Sequence, residues 1–102
     1  MNIPKSIGDL ANTSLSSLDL SECGLKGRIP KEIGKLSSLI ELELYGNYLR
    51  GEIPSSVGNM LKLQMINASS NQLEGLIPSE FCNLRYLGNL DLTSNKISSG
   101  VL

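Results

Sequence analysis

Residues 47–63 read NYLRGEIPSSVGNMLKL, and residues 71–87 read NQLEGLIPSEFCNLRYL, so one pattern returns after 24 positions. Three Ile-Pro pairs are also 24 residues apart, and a fourth pair stands 26 residues before the first of the three. The four pairs are Ile3-Pro4, Ile29-Pro30, Ile53-Pro54 and Ile77-Pro78. Written once, the unit is LxxLxLxxNxLxGxIPxxIGxLxx. Such a repeat predicts a chain of similar coils, each of which packs only against its neighbours.

The segment before each asparagine of the unit alternates apolar and polar residues, which indicates a half-buried strand. The predicted strands are Ser17–Ser21, Glu41–Tyr45, Met65–Ser69 and Asn89–Thr93. Their inward residues are Leu18, Leu20, Leu42, Leu44, Ile66, Ala68, Leu90 and Leu92. Because one coil cannot shield such a row, neighbouring strands are expected to pair in parallel at about 4.8 Å. Ala68 is smaller than the leucines of its column, which predicts a thinner core at the third coil.

Asn47, Asn71 and Asn95 mark the corner after each strand and form a predicted structural asparagine ladder. A buried asparagine offers one acceptor and two donors, so it can satisfy backbone groups of adjacent coils. Cys23 holds this position in the first repeat, where its weak hydrogen bonding predicts a less tightly held coil.

The GxIP segment predicts a second, flanking element. Ile29, Ile53 and Ile77 alternate with polar neighbours, which is consistent with a short strand that the prolines then end. Each proline can open a short helical turn, because the first helical position needs no amide donor. Few residues remain before the next strand, so a 3₁₀ or short helical turn fits better than a long helix. Two pairs of opposite charge occupy equivalent positions and are expected side by side: Arg28 with Glu52, and Arg50 with Glu74.

A 24-residue period with this leucine and asparagine pattern is the signature of a leucine-rich-repeat solenoid. The expected fold is an α/β solenoid with parallel strands on the concave face and short 3₁₀ or helical turns on the convex side. A short second strand is expected in the GxIP segment. Residues 1–102 are expected to form a single array of about four 24-residue repeats, incomplete at both ends.

Composition excludes several classes of function. The formal net charge is −1, so there is no basic field for nucleic acid, and no nucleic-acid partner is expected. No apolar run approaches the roughly 20 residues that cross a bilayer, and MNIPKSIGDL lacks the regions of a signal peptide. We expect no membrane contact by this segment itself and no export signal or transmembrane segment in this chain.

Catalysis has almost no support in the sequence. There is no histidine, and the carboxylates follow the repeat columns as a solvated face would. No phosphate-binding loop or protein-kinase signature occurs. We expect no catalytic residue, no metal site, no cofactor and no enzyme activity. Cys23 and Cys82 stand in different columns more than two coils apart, too far for a disulfide, so two free thiols are expected.

The units quoted above resemble the plant-type leucine-rich-repeat family, in the ectodomains of receptor-like kinases and receptor-like proteins and in polygalacturonase-inhibiting proteins. The resemblance covers essentially the whole chain and implies a curved solenoid that recognises peptides, steroids, proteins or co-receptors outside the cell. It implies a location at the extracellular face of the plasma membrane or in the cell wall. The chain departs from the family in lacking cysteine-bearing caps, and Ser99, Val101 and Leu102 replace Gly, Ile and Pro in the last partial copy. We expect a fragment of a longer protein.

The function predicted from this resemblance is a non-enzymatic recognition module, part of a plant receptor-like ectodomain in signalling or defence, with a protein or peptide ligand or a co-receptor as partner. Three alternatives stay open. The chain could belong to a receptor-like serine/threonine kinase whose kinase domain is missing here, to a secreted polygalacturonase-inhibitor-like protein, or to a truncated product without independent function.

Outward strand residues supply the candidate ligand contacts, because they form columns with an acidic stripe and one aromatic anchor. The candidates are Asp19, Ser21, Glu41, Glu43, Tyr45, Met65, Asn67 and Asp91. Such a face suits a basic or polar peptide, although a solvated strand face would need polar residues in any case. Two glycosylation sequons begin at Asn12, in an expected exposed loop, and at Asn67, in mid-strand. A glycan on Asn67 would block the proposed contact surface.

Overall fold

The computed structural model describes residues 1–98, which form short strands (β) and 3₁₀ helices (η) in a repeating order. The elements are η1 Lys5–Asn12, β1 Ser17–Asp19, β2 Lys26–Arg28, η2 Lys31–Lys35, β3 Glu41–Glu43, β4 Tyr48–Gly51, η3 Ser55–Asn59, β5 Met65–Asn67, β6 Gln72–Gly75, η4 Ser79–Asn83, β7 Asn89–Asp91 and β8 Lys96–Ile97. Each coil therefore contributes two strands and one helical turn, as the repeat predicts.

The strands build two parallel sheets. The concave sheet has the order β1-β3-β5-β7, and the flank sheet has the order β2-β4-β6-β8. Strands of the concave sheet pair residues 24 apart, so that Leu42 lies opposite Ile66 and Ile66 opposite Leu90. This confirms the predicted solenoid and its aliphatic spine.

The core runs between the two sheets and the helical turns. Leu42, Leu44, Ile66 and Ala68 are buried as predicted. The inward leucines of the first and last strands are less covered, and Leu90 is 37% exposed. Each coil is shielded on both sides only where a neighbour lies above and below it.

The asparagine ladder is confirmed. Asn47 is buried, and its Oδ1 accepts hydrogen bonds from the backbone N–H groups of Cys23 and Leu25 at 3.0 Å. Its Nδ2 donates to the carbonyls of Leu20 and Leu44. Asn71 and Asn95 make the equivalent hydrogen bonds to backbone groups of their own coil and of the preceding coil. Within residues 1–98, the Cys23 thiol makes one hydrogen bond, to Ser21 of its own coil, which agrees with the weaker tie predicted there.

The predicted strand bounds were too long at the carboxyl end. Each concave strand ends two residues earlier than expected, because the chain turns into the left-handed region just before the asparagine position. The residues with positive φ there are Glu22, Gly46, Ser70 and Ser94. Parallel-type bonding still continues into the corner, since the Leu20 N–H donates to Glu43 and the Glu22 N–H donates to Tyr45.

The second strand exists but starts earlier in the repeat than predicted. The strands of the flank sheet end before the isoleucine of the Ile-Pro pair, and Ile29, Ile53 and Ile77 lie outside them. The prolines stand directly before η2, η3 and η4, one residue earlier than the first helical position that was predicted for them.

The predicted charge pairs are wrong in register. The flank strands pair residues 22 apart, so Arg28 lies opposite Arg50 rather than beside Glu52, and Arg50 lies opposite Gln72 rather than Glu74. A slip of two residues keeps the same face of each strand outward, so the hydrophobic pattern does not oppose it.

Ala68 thins the core, as predicted. An apolar cavity of about 10 Å³ lies beside it, and Ile66, Leu92 and Phe81 also line this space. Phe81 occupies the position of Val57 in the preceding coil, so the larger side chain reaches the space that Ala68 leaves.

Both cysteines are free and exposed, which confirms that Cys23 and Cys82 are not joined. The altered last copy at Ser99, Val101 and Leu102 lies outside the described residues.

Asn47→Ala should lower the free energy of unfolding by about 2–4 kcal/mol, because each buried backbone group left unpaired costs roughly 1–3 kcal/mol. Urea unfolding followed by circular dichroism measures this. Asn59→Ala is the matched control, because Asn59 is exposed in η3, and it should change stability by less than about 0.5 kcal/mol. Equal effects of the two variants would contradict the role of the ladder.

Gly58→Ala should destabilise the stack by about 1–3 kcal/mol through overpacking. A Cβ at Gly58 would stand 2.6 Å from both the Cβ and the carbonyl oxygen of Glu80 in the next coil. Gly88 has open space around it, so Gly88→Ala should be neutral or slightly stabilising. Thermal unfolding of the two variants compares them, and a neutral Gly58→Ala would show that the coils can move apart there.

Candidate interaction surface

The outward side chains of the concave sheet form ordered rows. Ser17, Glu41, Met65 and Asn89 form the first row, and Asp19, Glu43, Asn67 and Asp91 form the middle row. Ser21, Tyr45, Ser69 and Thr93 follow two residues later in each coil. The structure thus brings all eight predicted contact residues onto one face. That they contact a ligand stays a prediction.

In three coils the middle row is tied to the row after it. Asp19 Oδ1 accepts hydrogen bonds from the Ser21 N–H at 2.9 Å and from its hydroxyl. Asn67 with Ser69, and Asp91 with Thr93, make the same two bonds. We call these pairs the side-chain locks. A sequence signal for them existed and was missed: Asp or Asn is followed two positions later by Ser or Thr, at separations of 48 and 24 residues.

The second coil breaks the pattern. Glu43 and Tyr45 stand where the other coils have a lock, and within residues 1–98 no hydrogen bond joins them. Both side chains are half-buried on the concave face and flanked by the exposed Glu41. The polar groups of Glu43 and Tyr45 are not committed to a lock, so this coil offers a carboxylate and an aromatic side chain outside the lock pattern.

The electrostatics of the face follow from the same contacts. Hydrogen bonds from the side chain and then the backbone of Ser21 lower the pKa of Asp19, and Thr93 lowers the pKa of Asp91 in the same way. The pKa of Glu43 is raised, first by desolvation and then by the neighbouring charge of Asp19, which lies directly opposite in the sheet. None of the nine Lys and Arg residues lies on the concave strands, so every charged side chain on these strands is acidic.

The concave face is an open surface and not a pocket. An open groove of about 760 Å³ lies elsewhere, on the convex side, where Leu61, Cys82 and Tyr86 help to line it. It includes none of the predicted contact residues. A broad open face fits an extended peptide or a protein surface better than a small molecule.

The two sequons lie in different settings. Asn12 is exposed, as expected, but it is the last residue of η1 and not part of a loop, because η1 extends through the two-residue expansion. Asn67 lies in β5 as predicted, half-buried, with its Oδ1 occupied by the lock to Ser69. Asn12 is therefore the better presented of the two glycosylation candidates.

No group of three or more metal-binding side chains comes together among residues 1–98. In the same part of the chain, no helix has the length and apolar character that crossing a membrane requires.

Two parallel sheets, convex 3₁₀ turns and a buried asparagine ladder define a leucine-rich-repeat solenoid. A family profile described as Leucine Rich Repeat matches residues 14–36, 38–60 and 62–84. The chain belongs to this family. Its fold is also similar to solved ectodomains of plant receptor kinases.

Three of these structures come from Arabidopsis thaliana. The ectodomain of the receptor kinase GASSHO1/SCHENGEN3, solved with CASPARIAN STRIP INTEGRITY FACTOR 2, matches with a TM-score of 0.89 and 38% identity. The ectodomain of the receptor kinase HAESA, solved with an extended IDA peptide hormone, matches with a TM-score of 0.88 and 38% identity. A chain of the BIR3–SERK2 complex matches with a TM-score of 0.85 and 40% identity.

These matches cover nearly all of this chain but only part of the others. They span 94%, 94% and 96% of this chain, against 11%, 16% and 52% of the GASSHO1, HAESA and BIR3–SERK2 chains respectively. No curated protein matched the sequence.

Ser21→Ala should raise the pKa of Asp19 toward its ordinary value, because the Ser21 side chain is the main cause of the lowered pKa. Thr93→Val should do the same to Asp91. Side-chain carboxyl ¹³C NMR titration measures both groups in each variant. Each variant serves as the control for the other, and an Asp19 pKa that stays low in Ser21→Ala would rule out the lock as its cause.

Proposed function

We propose that the chain is a non-enzymatic recognition module whose concave face contacts a peptide or protein ligand carrying basic groups. The observation that carries this proposal is the charge of the face: the concave strands carry Asp19, Glu41, Glu43 and Asp91 and no lysine or arginine. A cationic ligand is favoured there because complementary charge speeds association and disfavours acidic competitors.

The second coil is the proposed centre of contact. Glu43 and Tyr45 are not tied into a lock, so a ligand can use them without first breaking a hydrogen bond of that kind. A lysine or arginine at this point can pair with the Glu43 carboxylate and lie against the Tyr45 ring. Met65 in the next coil adds an adaptable apolar contact.

Size predicts weak binding by this chain alone. Four strands at about 4.8 Å make a platform under about 20 Å wide. That is small beside the roughly 800 Å² per partner of an ordinary stable interface. We propose that the module acts as part of a larger ectodomain, in which neighbouring coils extend the same face.

The complexes in which the similar structures were solved support this direction. GASSHO1/SCHENGEN3 was solved with CASPARIAN STRIP INTEGRITY FACTOR 2, HAESA was solved with an IDA peptide hormone, and BIR3 was solved with SERK2. From these structures we infer that this chain binds a peptide ligand, and that a co-receptor ectodomain is a second class of partner. The same proposal includes a role in signalling or defence at the extracellular face of the plasma membrane. It also includes glycosylation of Asn12.

The test uses a short fluorescein-labelled peptide of alternating Lys and Leu, with a Glu-Leu peptide as the probe of opposite charge. We expect Glu41→Gln/Glu43→Gln to weaken Lys-Leu binding about tenfold in fluorescence anisotropy, since two charge-assisted contacts are lost. Asp9→Asn/Glu80→Gln is the control, because it removes the same charge from exposed residues of η1 and η4.

Two outcomes would contradict the proposal. Equal loss in both double variants would assign binding to net charge and not to the concave face. Unchanged binding in Tyr45→Ser would remove the second coil as the centre of contact. Raising the salt concentration should weaken binding in the unmodified chain more than in Glu41→Gln/Glu43→Gln.

A further inference from the structure

The outer face of the flank sheet has a charge pattern opposite to that of the concave face. Its exposed strand residues include Lys26, Arg28, Arg50 and Lys96, against a single acidic residue, Glu74. Glu74 lies directly opposite Lys96, so this pair is balanced across the sheet. The excess positive charge is therefore concentrated on β2 and β4.

Arg28 and Arg50 form the centre of this excess. They lie directly opposite one another in the parallel ladder of β2 and β4. Like charges at such paired positions destabilise a sheet, so the pair has no explanation in folding. Among the hydrogen bonds and ion pairs of residues 1–98, none involves either guanidinium group.

The Arg28 side chain lies over Gly51, in the space that a larger residue at position 51 would fill. A Cβ at Gly51 would stand 2.8 Å from Nη1 of Arg28 and 3.1 Å from its Cγ and Cζ. The guanidinium therefore lies against the backbone of the next coil, at a residue whose positive φ favours glycine. This close approach restricts the side chain and directs its charge toward the β4 side of the pair.

An aromatic residue adjoins the two arginines. Tyr48 in β4 is 61% exposed and lies opposite Lys26. Arginine and tyrosine are enriched in protein interfaces, where they carry much of the binding energy. The same strands thus present two guanidinium groups and an aromatic ring on one exposed face.

We propose that Lys26, Arg28, Tyr48 and Arg50 form a second interaction surface, the basic flank, which binds an acidic segment of a protein partner. One carboxylate of that segment lies between Arg28 and Arg50 and accepts hydrogen bonds from both guanidinium groups. An apolar side chain of the segment packs on Tyr48. The basic flank lies outside the concave rows, so it can be occupied together with the peptide-binding face.

The experiment measures binding of the fluorescein-labelled Glu-Leu peptide to the full chain by anisotropy. Arg28→Gln/Arg50→Gln should lower its affinity about tenfold. Lys31→Gln/Lys35→Gln removes the same charge from exposed residues of η2 and should change affinity less than about twofold. Equal losses in the two variants, or no binding by the unmodified chain, would overturn the proposal.

Two further variants separate this surface from its alternatives. Tyr48→Ser should weaken binding of the Glu-Leu peptide and leave heparin binding unchanged. If Tyr48→Ser weakened neither, the surface would be a general polyanion site, and the assignment to a protein partner would be overturned. Tyr45→Ser alters the concave face only and should leave Glu-Leu binding intact. Thermal unfolding should show that Arg28→Gln/Arg50→Gln is at least as stable as the unmodified chain, since a repulsive pair is removed.

Discussion

The fold depends on how the corner after each concave strand satisfies its backbone groups. The chain turns there through a left-handed residue, which ends the regular ladder and leaves buried amide and carbonyl groups of two coils without strand partners. Asn47, Asn71 and Asn95 bind these groups across the boundary between coils. Hydrophobic burial brings the coils together but has no direction. The asparagine amides fix the spacing and the register.

The two sheets share the coils but differ in register, and this difference separates two surfaces. The concave strands pair residues 24 apart, so equivalent positions of successive repeats stand side by side and acidic residues accumulate in rows. The flank strands pair residues 22 apart and bring non-equivalent positions together, which places Arg28 opposite Arg50. One repeated sequence can therefore present an acidic face and a basic face a short distance apart.

Much of this architecture could be predicted from the sequence, because it follows from one period. The spacing of Leu42, Ile66 and Leu90 predicts the spine, and the asparagine step predicts the ladder. The flank register could not be derived, because a slip of two residues preserves the alternation of inward and outward side chains. The strand ends were missed for a related reason: Glu22, Ser70 and Ser94 adopt positive φ without the glycine that usually signals it.

The candidate site was only partly predictable, because exposure to solvent does not distinguish a polar residue that is free from one that is already bonded. Asp19, Asn67 and Asp91 look like contact residues in the sequence, yet each holds a neighbouring Ser or Thr side chain. In a repeat protein, such internal bonds recur wherever the same two residues recur, so they belong to the repeat and not to a particular ligand. Residues that break the recurrence carry the information specific to this chain. Glu43 and Tyr45 on the concave face, and Arg28 opposite Arg50 on the flank, are departures of this kind. Neither departure is required by the stacking of the coils, which is the physical reason for placing recognition there.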